Sequence, residues 1–307
     1  MSEGEFEYTI QCHIRAPPVV IDAPWPVTTA WRPRQNGVPV PPPRFDSGGC
    51  VMVVEGSISA GKSTLCQSIL AHAEQLFGAG VHVDVLLESV DQTFLEAYIA
   101  DKRRWAFDFQ VYMARNRVET MRRAEQLAAR GHIVIVDRGL PGDLTFARMH
   151  RTQGNFSDVE WSIYASVMRD AYPQFLPVSL FDGAGTDSGA STHATSAMMH
   201  MTNYSSSARA AAHKADVCIL YLKTTPECAL RRLKQRADEA EVAGYSLDYF
   251  RQLCAAYDHT IDAFRRSGHT RVAVYDHERD VTLEPASGLL SLDDTRRIVA
   301  PCFPVAH

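Results

Sequence analysis

The chain contains no CxxC pair and no apolar run near the ~20 residues that a membrane-spanning helix needs. Its seven cysteines are scattered and odd in number, which indicates reduced thiols in a cytoplasmic protein rather than a disulfide framework. The acidic first residues lack the apolar core of a secretory signal and the arginines of a transit peptide. The net charge of −5 gives no sign of the basic face typical of nucleic-acid-binding proteins. We therefore expect a soluble globular protein that binds neither membrane nor nucleic acid.

Two segments differ in composition from the rest of the 307 residues. Nine of the 16 prolines fall within residues 1–48, which predicts a disordered extension, with a proline-rich docking peptide as the alternative. Residues 182–213 are rich in Ser, Ala, Thr and Gly, which predicts a flexible insertion. The remainder predicts one domain over residues 49–285 and a C-terminal tail over 286–307.

Apolar runs of strand length alternate with helical periodicity from residue 49 onward. Such alternation is typical of βαβ units, and it predicts an α/β fold with a parallel sheet of about five strands, flanking helices and a lid. The predicted strands are Cys50–Glu55, Val81–Leu87, Ile133–Val136, Val217–Leu222 and Arg271–Tyr275. The predicted helices are Ser63–Phe77, Leu95–Arg130 with a break near Lys102, Asp158–Ala171, Pro226–Arg236 and Leu247–Ser267.

One eight-residue motif carries the strongest functional signal. Residues 56–63 match G-x-x-x-x-G-K-[ST] between a predicted strand and a predicted helix. Glycines let backbone N–H groups turn toward phosphate, and the helix N-terminus favours negative charge. We expect Lys62 to reach the β- and γ-phosphates of ATP and the Ser63 hydroxyl to bind Mg²⁺. The motif predicts a P-loop kinase fold, with nucleotide-binding residues Gly56, Ser57, Ile58, Ser59, Ala60, Gly61, Lys62, Ser63 and Thr64.

Charged residues follow the second and third predicted strands, at the edge where open α/β sheets bind ligands. A carboxylate at Glu88 can accept a proton from an acceptor hydroxyl during phosphoryl transfer. The alternative for Glu88 is a helix cap or a surface acid. Asp137 and Arg138 suit a Mg²⁺-linked carboxylate beside a guanidinium that binds phosphate or acceptor. The alternative for this pair is a strand-end ion pair without a role.

A basic helix follows the fourth predicted strand. Arg232 and Arg236 are four residues apart and therefore share one helix face. Such a pair can close over the transferring phosphate and offset its charge. The alternative is a solvated face whose charge is partly neutralised by Asp238, Glu239 and Glu241.

In their order along the chain, these motifs resemble the deoxyribonucleoside kinase family. That family includes bacterial deoxyadenosine/deoxyguanosine kinases and animal and viral deoxynucleoside and thymidine kinases. The resemblance spans residues 49–280 and implies transfer of the γ-phosphate of ATP, with Mg²⁺, to the 5′-hydroxyl of a deoxynucleoside in nucleotide salvage. The residues that carry it are the phosphate loop, Glu88, Arg104-Trp105-Ala106-Phe107-Asp108-Phe109-Gln110, Asp137-Arg138, Asp143, Thr225-Pro226-Glu227, Arg232 and Arg236.

The resemblance also implies roles for individual residues. Glu88 resembles the general base, Arg138 the arginine near the 5′-oxygen, and Asp137 the Mg²⁺-linked acid. Gln110 resembles the amide that reads the edge of the base, because an amide offers both a donor and an acceptor. The other implied substrate residues are Trp105, Phe109 and Met113 as pocket walls, Arg117 with Asp143 in the base pocket, Tyr98 at the sugar, and Glu241 or Glu239 at the 3′-hydroxyl. The other implied nucleotide residues are Arg232 and Arg236 in the lid and Asp276 near adenine.

The chain departs from the family pattern at several of these places. Ser89 stands where proline is usual, Gly139 where serine is usual, and Asp238 where a further lid arginine is common. Tyr98 matches the sugar-contacting tyrosine only with a shift of one residue, since the unshifted position is Ile99. The lid and the sugar contacts therefore stay open.

Two other functions remain as alternatives. A nucleoside monophosphate kinase, such as a thymidylate-like kinase, shares the phosphate loop, the Asp-Arg pair and a basic lid. Glu88 favours the nucleoside acceptor, because an ionised phosphate acceptor needs no base. A non-catalytic nucleotide-binding module is the second alternative. The preferred base stays open, and a homodimer is one candidate assembly.

Overall fold

Five largely apolar runs form the strands of one parallel sheet. They are β1 (Cys50–Gly56), β2 (Val83–Leu86), β3 (Ile133–Asp137), β4 (Asp216–Lys223) and β5 (Arg271–Asp276). The strand order is β2-β3-β1-β4-β5, and every neighbouring pair is parallel. Parallel neighbours need crossover connections, which here are helices. The predicted five-stranded parallel sheet is confirmed.

This computed structural model describes residues 49–173, 175–181, 216–236, 242, 244–277 and 283–303, together with the backbone of a two-residue antiparallel pair at Arg34–Gln35 and Val38–Pro39. The predictions for the rest of 1–48 and for the insertion at 182–213 lie outside the described residues. The same holds for Glu239 and Glu241 and for the side chain of Arg236.

Nine α-helices are found in the described residues, and most match the predicted ones within a few positions. They are α1 (Lys62–Ala71), α2 (Ala73–Phe77), α3 (Gln92–Ala100), α4 (Lys102–Ala128), α5 (Leu140–Thr152), α6 (Asp158–Ala171), α7 (Pro226–Arg236), α8 (Leu247–Ser267) and α9 (Leu292–Val299).

The break predicted near Lys102 lies at Asp101, where α3 ends and α4 begins. The Asp101 carboxylate accepts a hydrogen bond from the Arg104 backbone N–H at 3.0 Å, which caps α4. A similar cap starts α3, where the Asp91 carboxylate accepts from Phe94 N–H at 2.9 Å. The predicted single helix over Ser63–Phe77 is instead two helices that meet at His72.

Helix α5 was not predicted, because Pro141 and Gly142 in its first turn, and Gly139 just before it, are typical of turns. The structure shows how this start is stabilised. The backbone N–H groups of Gly139 and Gly142 donate to Glu55 Oε1 at 2.8 and 2.9 Å. Glu55 therefore caps α5 from the end of β1, and Pro141 lies where the first helical turn needs no N–H donor.

Two apolar clusters pack on the two faces of the sheet. Alternate β1 side chains divide between them: Val51 and Val53 belong to the cluster that includes α4, α5, α6 and α8 residues, and Met52 and Val54 to the cluster with α1 and α9 residues. This division follows from the two-residue period of a strand. Both faces of β1 are fully covered.

The C-terminal segment expected as a tail packs on the sheet. Leu290, Ile298, Val299 and Cys302 are all buried in the second cluster, where each large aliphatic side chain contributes about 1.5–3 kcal/mol. The domain boundary predicted at residue 285 leaves α9 outside the domain. A helix of eight residues contains only about two turns, so its apolar periodicity is hard to recognise in the sequence. Within the described part of the chain, no helix is both long enough and apolar enough to cross a membrane.

Candidate active site

The loop between β1 and α1, the predicted phosphate loop, contains two residues with left-handed backbone. Gly61 adopts a φ of 90° and Ser59 a φ of 60°, both in the left-handed region. The Lys62 ammonium donates to the carbonyl oxygens of Gly56 at 3.3 Å and Ser57 at 2.9 Å. Burial, together with the Arg138 charge, lowers the pKa of Lys62 to about 7. The lysine is thus folded onto its own loop, at the site where phosphate charge would stabilise its protonated form.

Ser63 and Asp137 come together beside this loop. The Ser63 hydroxyl donates to Asp137 Oδ2 at 2.6 Å, while Asp137 Oδ1 is buried and has no hydrogen-bond partner among the residues that the structure describes. A hydroxyl and a carboxylate with a spare oxygen suit Mg²⁺, which prefers oxygen ligands. In the part of the chain that the structure describes, no group of three or more His, Cys, Asp or Glu side chains could hold a metal ion. The remaining ligands would therefore be phosphate oxygens and water.

Glu88 lies between two arginines beyond the end of β2. Its Oε1 accepts a close contact from Arg117 Nη2, and its Oε2 accepts from Arg138 Nε at 3.1 Å. Burial alone would raise the pKa of Glu88, but Arg117 and Arg138 lower it to about 2. Glu88 is therefore ionised at neutral pH, and with these arginines, Asp137 and Met113 it lines a small open cleft.

A second carboxylate, Asp143 on α5, continues this network into the interior. Its Oδ1 accepts from Arg117 Nη1 at 2.5 Å and from Gln110 Nε2 at 2.8 Å, and its Oδ2 accepts from the Tyr164 hydroxyl. Burial raises the pKa of Asp143, and the Arg117 charge opposes that shift. Because all three neighbours donate, the arrangement fits an ionised carboxylate. Gln110, Arg117 and Asp143 are thus brought together as the resemblance implied.

Aromatic side chains form a layer beside Gln110. Phe109 stacks on Tyr98 with ring centroids 4.7 Å apart, and Phe94 meets both Phe109 and Trp105 edge to face, at 5.4 and 5.9 Å. The Tyr98 hydroxyl lies 3.0 Å from His150 Nε2, so in this structure it contacts the interior. The sugar role of Tyr98 stays a prediction.

Helix α7 and the loop after β5 contact each other beside the phosphate loop. Arg232 Nη2 donates to the backbone oxygen of His277 at 3.2 Å. A Cβ atom at Gly61 would lie 3.3 Å from His277 Nε2, so the loop after β5 does contact the phosphate loop. Asp276 itself is exposed at the end of β5, and its place near adenine stays a prediction. Arg236 ends α7.

Three residues of this network were given no role from the sequence: Glu55, Tyr164 and Tyr257. Glu55 caps α5, Tyr164 donates to Asp143, and the Tyr257 hydroxyl accepts a close contact from Arg138 Nη1. The two tyrosines come from α6 and α8, and no local motif marks them. Their hydrogen bonds to Asp143 and Arg138 become visible only in the folded structure.

The sequence model of the deoxynucleoside kinase family matches residues 52–181 and 188–288 of this chain. The deoxyadenosine/deoxycytidine kinase of Bacillus subtilis (strain 168) is 25% identical over 230 residues, which cover 74% of this chain and 84% of that protein. The deoxyadenosine kinase of Dictyostelium discoideum is 22% identical over 210 residues, which cover 68% of this chain and 65% of that protein.

Solved structures similar to this chain include deoxyadenosine kinase from M. mycoides. Its complex with dATP aligns with a TM-score of 0.52 and 18% identity, covering 81% of this chain and 97% of that one. Its complex with the product dCMP and a flexible dCDP aligns with a TM-score of 0.50 and 19% identity, covering 75% and 92%. At this identity the likeness shows a shared fold.

Proposed function

The chain belongs to the deoxynucleoside kinase family. We propose that it transfers the γ-phosphate of ATP to the 5′-hydroxyl of a deoxynucleoside whose base carries an amino group at C6 of adenine or C4 of cytosine. One observation carries the proposal. A continuous set of hydrogen bonds joins Glu88 through Arg117 to Asp143 and Gln110. It links a carboxylate at the phosphate loop to groups that can recognise a base.

The phosphoryl donor binds on the phosphate-loop side of the cleft. Backbone N–H groups of the loop and the N-terminus of α1 hold phosphate oxygens. Lys62 turns from the carbonyl oxygens that it now contacts toward the β- and γ-phosphates, and phosphate charge keeps it protonated. Ser63 and Asp137 would hold Mg²⁺, which neutralises developing charge on the phosphates when it is bound.

The acceptor hydroxyl binds beside the hydrogen-bonded pair of Glu88 and Arg138. Glu88 accepts its proton, and Arg138 donates hydrogen bonds to the oxygen that attacks. A carboxylate with a pKa of about 2 is a weak base. Phosphoryl transfer has a loose transition state, however, so orienting the hydroxyl contributes more than abstracting its proton early. Arg232 and Arg236 then offset charge on the transferring group from the lid.

Asp143 supports the choice of base. Its carboxylate accepts hydrogen bonds only, and it is held ionised by Arg117. Cytosine and adenine present an amino donor at N4 and N6, where thymine and guanine present an oxygen acceptor. An oxygen facing Asp143 would leave two acceptors in contact, which is costly in a buried site. Two relatives carry names in keeping with this choice, a deoxyadenosine/deoxycytidine kinase and a deoxyadenosine kinase.

The ligands, the assembly and the cellular compartment of the enzyme are also part of the proposal. We propose ATP and a small deoxynucleoside as its ligands, with no nucleic acid or membrane partner, and a homodimer as a candidate assembly. Among the described residues, Cys50, Cys66, Cys218, Cys254 and Cys302 are buried and form no disulfide, which supports a reducing compartment such as the cytoplasm.

A transfer assay with γ-labelled ATP tests the proposal. The acceptors are dAdo, dCyd, dGuo, dThd and dTMP, with 2′,5′-dideoxyadenosine as the control that lacks a 5′-hydroxyl. We expect labelled monophosphates from dAdo and dCyd and none from the control. Faster labelling of dThd or dGuo would refute the base assignment, and labelling of dTMP alone would establish a nucleotide kinase.

A further inference from the structure

Tyr257 on α8 connects Arg138 to Glu55, and the mechanism above gives it no role. It is fully buried, and its hydroxyl accepts a close contact from Arg138 Nη1. The same hydroxyl donates to Glu55 Oε2 at 3.3 Å. Its ring centroid also lies 5.9 Å from the guanidinium carbon of Arg138. The phenol therefore separates a buried cation from a buried carboxylate.

The position of the Arg138 guanidinium depends on such contacts. Arg138 has a φ of 67°, in the left-handed region that residues with a side chain rarely occupy. Besides Tyr257, its side chain contacts Glu88 through Nε at 3.1 Å and the carbonyl oxygen of Gly56 through Nη1 at 3.2 Å. Glu55 is a second carboxylate that could attract the Arg138 guanidinium away from Glu88. Its Oε1 accepts hydrogen bonds from the backbone N–H groups of Gly139 and Gly142.

Gly142 provides an independent sign that this contact is closely packed. A Cβ atom at Gly142 would lie 2.6 Å from Glu55 Oε2, 2.8 Å from Arg138 Cγ and 2.9 Å from the Tyr257 hydroxyl. These distances are shorter than van der Waals contact. A side chain at this position would displace the hydroxyl or its partners, so the hydroxyl lies where it does only because residue 142 is glycine.

We propose that Tyr257 is a positioning residue, whose hydroxyl is oriented by Glu55 and holds the Arg138 guanidinium between Glu88 and the phosphate loop. Without that hydroxyl, Arg138 and Glu55 would face each other directly in a buried site, where opposite charges attract strongly. The guanidinium would then move toward Glu55 and away from the acceptor hydroxyl. This inference rests on the roles proposed for Arg138 and Glu88.

The test compares Tyr257→Phe with Tyr221→Phe. Tyr221 is a matched control, because its ring stacks on Tyr257 at 5.8 Å while its hydroxyl donates to Asp258 at 3.1 Å. Loss of one hydrogen bond to a charged group predicts that Tyr257→Phe lowers kcat by about 10- to 100-fold. We expect KM for ATP to stay within about twofold, because the Tyr257 hydroxyl bonds to Arg138 and Glu55 rather than to residues 56–64 of the phosphate loop. Tyr221→Phe should keep the kcat of the wild type.

Gly142→Ala would crowd the Tyr257 hydroxyl together with its partners Arg138 and Glu55. We expect the kcat of this variant also to fall, while its KM for ATP stays near the wild-type value. A wild-type kcat in well-folded Tyr257→Phe would overturn the positioning role. So would equal losses of kcat and of thermal stability in both Phe variants, since those indicate a structural role alone.

Arg138→Lys separates this proposal from the proposed function. If Arg138→Lys keeps full activity, the role assigned to Arg138 in the reaction is wrong. If Arg138→Lys loses activity while Tyr257→Phe does not, only the positioning role of Tyr257 is wrong.

Discussion

Gln110→Leu separates recognition of the base from binding of the phosphate donor. The Gln110 amide is buried and donates to the backbone oxygen of Asp143 at 3.1 Å and to its Oδ1 at 2.8 Å. Leucine has a similar volume, so the substitution removes the polar group without opening a large cavity. Asp143 keeps its contacts with Arg117 and Tyr164.

The expected magnitude follows from these contacts. A base whose polar edge loses its partner in a buried pocket is left unsatisfied, at a cost of about 1–3 kcal/mol. This corresponds to about a 5- to 150-fold rise in KM for the nucleoside. Loss of the two amide hydrogen bonds to Asp143 costs the folded protein about 1 kcal/mol, since the carboxylate retains two other donors.

Steady-state kinetics with dAdo or dCyd, with each substrate varied in turn, measures this effect. KM for ATP should stay near the wild-type value, because Gln110 lies on the acceptor side of Glu88. Gln126→Leu is the matched control, since Gln126 is exposed on the same helix, α4. Equal rises in KM for ATP and nucleoside would refute the reasoning and indicate a folding defect.

Three further predictions concern the donor side. Lys62→Ala should abolish transfer while keeping the fold. Because burial and Arg138 lower the pKa of Lys62 to about 7 and bound phosphate raises it again, the wild type should take up a proton on binding ATP at about pH 8 and none at about pH 6. Calorimetry in two buffers of different ionisation enthalpy measures this, and an equal proton count at both pH values would contradict it. Asp137→Asn should raise the Mg²⁺ concentration needed for half-maximal activity by at least about tenfold while Mg²⁺-free ATP binding holds, and an unchanged requirement would remove Asp137 from the metal site.

The sequence predicted the placement of those candidate site residues that lie in short local motifs. The phosphate loop, Glu88, Asp137 and Arg138 each lie at the end of a strand, and parallel strands bring these ends to one edge of the sheet. The pairing of Ser63 with Asp137 follows the same logic.

The missed features depend on contacts between distant parts of the chain. The start of α5 reads as a turn until Glu55 is seen to accept hydrogen bonds from Gly139 and Gly142. Tyr164 and Tyr257 lie on amphipathic helices among other buried aromatic residues, so nothing in the local pattern distinguishes them. Which buried tyrosine contacts a charged side chain depends on how the helices pack on the sheet. The spacing of apolar residues along the sequence does not determine that packing.

Glu88→Gln tests the central claim most directly, because it retains size and hydrogen-bonding capacity while removing the charge held between Arg117 and Arg138. With dAdo or dCyd as acceptor, kcat should fall by roughly 10²–10⁴, toward the lower value because positioning dominates phosphoryl transfer. The affinity for ATP should stay nearly unchanged, and Glu96→Gln, at an exposed acid on α3, should behave as wild type. An undiminished kcat of Glu88→Gln on every deoxynucleoside would contradict the account, and dTMP labelled at an unchanged rate would favour a nucleotide kinase in its place.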